Sequence, residues 1–191
     1  MGKFKRRLLL TVLLLIAVIF TVRNTACIKF QGIPVRGNYI EFCNRLKKAG
    51  YTPYDESDPE NQLFHGPFLN LQNVMISVLK NDVTGDVCKV VATIDVADTW
   101  ESAYRSYQEI SNVYKEKYGN PDEQKTIEEG ATDSLKLAAV TESGSNCYTN
   151  WEVHGGAIET SIVNVMDNIY VKVSYFRKFS RKEIRHENNG M

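Results

Sequence analysis

The 191-residue chain is formally neutral, with 23 Lys and Arg against 23 Asp and Glu, but the two signs are unevenly spread. Five of the basic residues and none of the acidic ones fall in residues 1–26, so the remainder carries 18 positive against 23 negative charges, a net of −5. An acidic body of about 165 residues argues against a nucleic-acid partner and suits one domain with a sizeable core.

Lys3, Lys5, Arg6 and Arg7 stand directly before Leu8–Val22, the apolar run LLLTVLLLIAVIFTV, which gives the basic lead and apolar core that a translocation machine reads. Its fifteen residues are long for a signal-peptide core and short of the roughly 20 that span a bilayer. Three fates stay open: lipidation at Cys27 after cleavage behind Ala26, plain cleavage near Ala26, or retention as a single anchor with its basic end in the cytoplasm. Asn24 departs from the apolar residue usual three positions before a lipidated cysteine. Residues 1–26 are therefore read as a signal peptide or N-terminal membrane anchor. The body is expected in the cell envelope, exported across the inner membrane, periplasmic or surface-facing, and membrane-tethered.

Ile28–Asn38 reads as an extended lead-in broken by Gly32, Pro34 and Gly37. Asn38 with Glu41 three later predicts a helix start, and Ile40, Cys43, Leu46 and Ala49 form its apolar face up to Gly50. Tyr51–Pro67, with Pro53, Pro59, Gly66 and Pro67 and the acidic cluster Asp55, Glu56, Asp58 and Glu60, reads as a loop with nothing to offer a core. Leu69–Leu79 and Val87–Val96 are two strands of a hairpin turning at Lys80–Asp86. Asp98 and Glu101 predict a second cap, followed by Trp100, Ala103, Tyr104, Tyr107, Ile110, Tyr114 and Tyr118 at helical spacing until Gly119 and Pro121. After an acidic linker over Asp122–Asp133, Leu135–Val140, Cys147–Val153, Ala157–Val165 and Ile169–Phe176 read as strands of a meander.

Consecutive strands with short turns favour an antiparallel sheet. The expected fold is α+β: a two-layer sandwich with two amphipathic helices on one face, resembling a duplicated α-β-β-β unit. Residues 28–177 form this single domain, and 178–191 a basic, disordered tail; the run from Arg177 to His186 holds Lys178, Arg181, Lys182 and Arg185 against Glu183 alone.

Chemistry-bearing residues are sparse. Cys43 and Cys88 lie on apolar faces and read as small buried hydrophobes. With Cys27 and Cys147 they show no paired spacing for zinc or thioredoxin-type chemistry, and any disulfide pairing is left open. His65, His154 and His186 are far apart, so no metal site is expected. Cys147 and His154 would form a nucleophile and base only if the chain bent between them, since a strand holds them about 20 Å apart. The acidic cluster only faintly matches calcium ligation. No catalytic residue and no cofactor is expected.

Lys29, Phe30, Gly32, Ile33, Pro34, Gly37, Lys47, Gly50 and Tyr51, together with Trp100, Lys117, Tyr118, Gly119 and Pro121, resemble a pattern in a group of small exported envelope proteins of Gram-negative gut anaerobes. The resemblance covers most of the body and implies export and a shared architecture, not a reaction. Arg23, Asn24 and Cys27 depart from the ordinary cleaved signal of many members.

The expectation is a non-catalytic envelope protein that touches the membrane through its N-terminal segment and binds a protein or a glycan through its sheet face or acidic loops. Two other readings stand beside it. One is a hydrolase using Cys147, His154 or His65 with a loop carboxylate. The other is an inhibitor or immunity-type module presenting a loop.

Overall fold

The computed structural model describes residues 27–178, apart from residues 56, 97, 98, 129, 142, 143 and 167. The leader and most of the basic tail lie outside the described residues, as do Glu56, Asp98 and His186. Among the described residues no helix is long and apolar enough to cross a membrane.

The chain opens with a hairpin of β1 (Lys29–Phe30) and β2 (Ile33–Pro34). Its turn residues Gln31 and Gly32 both have positive φ, the geometry whose twist suits a two-residue hairpin. Helix α1 (Tyr39–Lys48) follows, with the Asn38 side chain accepting from the Ile40 amide at 2.9 Å. The cap is where the sequence places it, and of the expected face Cys43 and Leu46 are buried but Ile40 and Ala49 are not. Tyr39, Phe42, Cys43 and Leu46 are buried, whereas Ile40 is 45% exposed.

Strands β3 (Thr52–Pro53), β4 (Leu63–Phe68), β5 (Leu71–Lys80) and β6 (Val87–Asp95) come next. The expected loop over Tyr51–Pro67 is thus overturned in part, because Tyr51 and Phe64 belong to the core, as does Phe68 just beyond it. Gly66 is the reason the strand escapes a propensity reading. A Cβ there would lie 2.4 Å from the Tyr51 ring, so the glycine makes room for a core aromatic instead of breaking the strand.

Helix α2 (Trp100–Tyr118) is capped by Thr99 and buries Trp100, Ala103, Tyr107, Ile110 and Tyr114, as its spacing predicts. β7 (Glu123–Lys125) lies inside the expected linker. The expected strand over Leu135–Val140 is instead a short helix, α3 (Asp133–Ala138), capped by Thr132. Leu, Lys and Ala are good helix formers, and only Val140 passes into a strand. β8 (Val140–Thr141) and β9 (Gly144–Ser145) form a small hairpin before β10 (Tyr148–Val153), β11 (Gly156–Val165) and β12 (Asn168–Arg177).

The strand path runs β3-β4-β5-β6-β12-β11-β10-β7, antiparallel throughout, with β8 bridging in parallel to β11. This order is symmetric about its middle. Along this path a helix followed by four strands, the first very short, occurs twice, the second time with α3, β8 and β9 inserted after β7, and the last strands of the two units pair through β6 and β12. The α+β sandwich is therefore present, with one more strand than expected in the first unit and, in the second, three more strands and the helix α3. Both edges end in strands of two or three residues, which leaves little free ladder for edge-to-edge association.

Val74, Ile76 and Val78 of β5, Val90, Ala92 and Ile94 of β6, and Val171, Val173 and Tyr175 of β12 point to the helix layer and form one core with α1 and α2. The β1–β2 hairpin fills the gap between the two units. Phe30 contacts Tyr51, Phe68 and Tyr175, with ring centroids 5.3–5.9 Å apart. Tyr175 also exchanges a hydroxyl hydrogen bond of 2.5 Å with Tyr114 of α2.

Two outcomes follow. A Cβ at Gly156 would sit 1.9 Å from the Phe176 carbonyl oxygen, whereas one at Gly130 meets nothing. Gly156→Ala is expected to cost about 1–3 kcal/mol in urea unfolding, and Gly130→Ala less than about 0.5 kcal/mol. The second outcome concerns alkali. Burial raises the pKa of Tyr39, Tyr51, Tyr107, Tyr114 and Tyr175 above 10.0 and of Cys43 and Cys147 above 9.0. The folded state holds these protons more tightly than the unfolded one, so their contribution is complete below those reference values and is lost above them. The urea midpoint should fall steadily above about pH 9, and a midpoint that held or rose there would contradict this packing.

Candidate functional site

The register decides which side chains stand on the face away from the helices. Cross-strand rows run His65, Met75, Thr93, Lys172, Ser161 and Tyr148, then Leu63, Ser77, Val91, Ser174, Glu159 and Asn150, then Leu79, Lys89, Phe176, Ala157 and Glu152. No described helix lies over these rows. Leu63 is 40%, Met75 42% and Leu79 44% exposed, so aliphatic side chains face solvent in adjacent strands. Yet Val91 and Thr93 between them are only 7% exposed.

The difference arises from shape. A depression of about 480 Å³ is lined by Met75, Ser77 and Leu79 of β5, Lys89, Val91 and Thr93 of β6, Tyr170 and Lys172 of β12, and Val165 of β11. Strands β5 and β11 line it together although β6 and β12 lie between them, so the sheet is concave here and the floor is sheltered by its flanks. A second depression, of about 360 Å³, continues it past Met75, Thr93 and Tyr170 to Asn73 and Asp95. Together they make a trough along the strand direction.

Its electrostatics are one-sided. Among the described residues two lysines and no carboxylate line the larger depression, on a body whose net charge is negative. The Lys89 ammonium lies 4.4 Å from the centre of the Phe176 ring. Burial lowers its pKa, and Lys172 lowers it further while Glu159 opposes. Glu159, beyond the trough on β11, is raised by burial, against the pull of Lys89 and a hydrogen bond with Ser161. Acidic side chains thus collect on the β7–β10–β11 flank and apolar ones on the β4–β5 flank, with the lysines between.

The residues expected to carry chemistry are scattered. Cys147 is fully buried just before β10, and burial pushes its thiol up to about 12. His154 lies in the turn at the other end of β10, so the strand holds the two apart. His65 is on the open face beside Met75, away from both. Cys43 is buried and Cys88 half-buried, and all four cysteines are unpaired. Asp55 accepts from the Ser57 amide and Asp58 from the Asn61 side chain and the Glu60 amide, so both serve their own loop, while Glu60 pairs with Lys80 and ties the loop to the end of β5. Hydrogen bonds lower the pKa of both aspartates. Among the described residues no group of three His, Cys, Asp or Glu is placed to hold a metal ion.

Cys27 is half-buried in a crevice beside Lys117, Tyr118 and His154. The C-terminal exit is nearby, where the Lys178 amide donates to the Gly155 carbonyl at 3.0 Å. Both ends of the described stretch, Cys27 and Lys178, therefore lie by the β10–β11 turn. A second helix-side crevice, of about 460 Å³, runs along α2 and carries both signs of charge in Arg105, Glu109 and Asp95. Leu69 lines both crevices from the β4–β5 turn at φ +54°, a costly conformation for leucine that lets the hairpin tip pack against α2. These crevices are seams where elements meet. The trough spans the middle of the sheet.

No family model matches the chain, and no curated protein or solved structure is similar to it.

The thiol environment gives a direct check. With a pKa of about 12 the Cys147 thiolate is roughly one part in ten thousand at pH 8, against about a tenth for an ordinary thiol. Iodoacetamide at pH 8 should leave Cys147 unmodified in the folded protein and alkylate it in urea; rapid native labelling would show a different environment.

Proposed function

We propose that the chain is an exported, membrane-tethered protein of the cell envelope that acts by binding a protein partner through the helix-free face of its sheet. The observation that carries this reading is the concave trough with exposed Met75 and Leu79 beside it, on a domain whose other face is already filled by helices and the β1–β2 hairpin. Aliphatic side chains on a concave surface rimmed by polar groups are the usual mark of a docking surface. The inert surroundings of Cys147 and its separation from His154 weigh against a hydrolase built on that pair.

The basic and apolar leader supports export, as does the resemblance in Lys29–Tyr51 to small envelope proteins. The tether fits the geometry. Strands β6 and β12 lie along the body from the end where Cys27 and Lys178 meet it, so a tether at Cys27 holds the trough side-on to the membrane and open to a partner.

Photoreactive residues placed at Met75, at Leu79 and, on the helix side, at Val113 test the face in intact cells of the protein's own host. Discrete crosslinked products are expected from the first two positions and none from Val113. The reverse pattern would refute the reading. On the same preparation, intact mass should show a diacylglycerol or triacyl increment that Cys27→Ala abolishes if the tether is a lipid, and an unmodified full-length mass if it is the retained leader.

A further inference from the structure

Lys89 and Lys172 line the floor of the trough from neighbouring strands, with no carboxylate among the described residues that line that depression. Asp95 belongs to the adjoining depression at the far end, and Glu159 stands outside on β11. Among the described residues Lys172 has no carboxylate within salt-bridge distance, and the close partner of Lys89 is the Phe176 ring. The register sets Lys89 opposite Phe176 and Lys172 opposite Thr93, four residues further along β6; Lys172 repels Lys89 while Glu159 attracts it more strongly, so Lys172 is the charge that a ligand carboxylate would offset most.

The apolar side of the trough is continuous with this pair. Met75 and Leu79 stand along β5 on one flank, with Tyr170 and Val165 opposite. From Leu79 to Asn73 the trough follows six residues of β5, about 20 Å, which an extended chain of about six residues would match. Backbone pairing is not on offer, because β5, β6 and β12 are interior strands whose ladders are occupied on both sides. Recognition must therefore come through side chains.

We propose that the trough binds an extended acidic segment of a partner protein, with an Asp or Glu carboxylate received between Lys89 and Lys172 and a flanking aliphatic or aromatic side chain seated against Met75 and Leu79. This rests on the reading of the open sheet face as the working surface and names what that surface takes. Steering follows from the same arrangement: a cationic spot on an acidic body attracts acidic segments and repels whole acidic surfaces, so a narrow segment is favoured over a broad one.

The probe is a display library of random twelve-residue peptides, selected against the full-length chain in nanodiscs. Enrichment of Asp or Glu one or two positions from Leu, Ile, Met or Phe is expected. The best synthetic peptide should bind about tenfold more weakly to Lys172→Glu, and changing its acidic residue to Lys should restore binding to that variant. Lys172→Gln, which keeps size without adding charge, should give an intermediate loss, and circular dichroism should show both variants folded.

Peptides enriched without acidic residues, still displaced by Leu79→Asp but indifferent to Lys172→Glu, would overturn the acidic ligand and leave the sheet face standing. Failure to enrich any peptide would overturn the proposal. The same holds if a glycan array is bound instead, or if the trough is covered by a second copy in a dimer that Lys172→Glu dissolves. Crosslinks from Val113 alone would remove the underlying reading as well.

Discussion

Tyr175 is the contact on which the rest of the structure depends. It stands on β12 where the two repeated units join, opposite Val90 of β6 and Ile158 of β11. Its ring meets Phe30 of the N-terminal hairpin and Phe68 of the first unit edge-on, and its hydroxyl shares a hydrogen bond with Tyr114 of α2. One side chain therefore touches both units, the hairpin and the longer helix. A buried hydroxyl is costly unless paired, so the Tyr114 and Tyr175 pair also fixes the rotation of α2 on the sheet. The burial that raises the pKa of both groups is the same burial that makes the pair matter.

From that seam the asymmetry of the two faces follows. Two helices cannot alone cover an eight-strand path, and the hairpin carrying Phe30 and Val35 closes the gap between them, so the helix side is complete. Among the described residues nothing comparable is built on the other face. Its centre is kept dry enough by curvature to bury Val91 and Thr93, while the flanks leave Met75 and Leu79 in contact with water. A sheet with one packed and one solvated face usually alternates apolar with polar residues. Here the solvated face of β5 and β6 reads Met75, Ser77, Leu79 and Lys89, Val91, Thr93, which is more apolar than solvation alone calls for.

Much of the fold was legible in the sequence, and the misses have identifiable causes. α2 could be read because Trp100, Ala103, Tyr107, Ile110 and Tyr114 fall on one helical stripe. β11 and β12 could be read because their apolar residues alternate about a short turn. β4 could not, since Gly66 and Pro67 look like punctuation until the ring of Tyr51 is seen to require the missing Cβ. In α1 the register slipped because Ile40 is the more hydrophobic neighbour of Tyr39, yet the Tyr39 hydroxyl accepts from the buried Gln62 amide and so takes the inner position. The trough was beyond reach for a different reason. Met75 and Lys89 share a face of the β5–β6 hairpin, but Lys172 joins them only through the pairing of β6 with β12, a contact between strands distant in the chain. The one available signal was the run of outward aliphatic residues in β5, which suggested a strand but not what its outer side faces.

The most direct test of the account is hydroxyl-radical footprinting of the protein in its native envelope and after purification, read residue by residue. Met75 and Leu79 should be protected in the envelope and become reactive on purification, while Val113 and Leu135 on the helix side react equally in both. Equal reactivity of Met75 and Leu79 in the two states, or protection confined to Val113 and Leu135, would contradict the claim that the helix-free face is where this protein meets its partner.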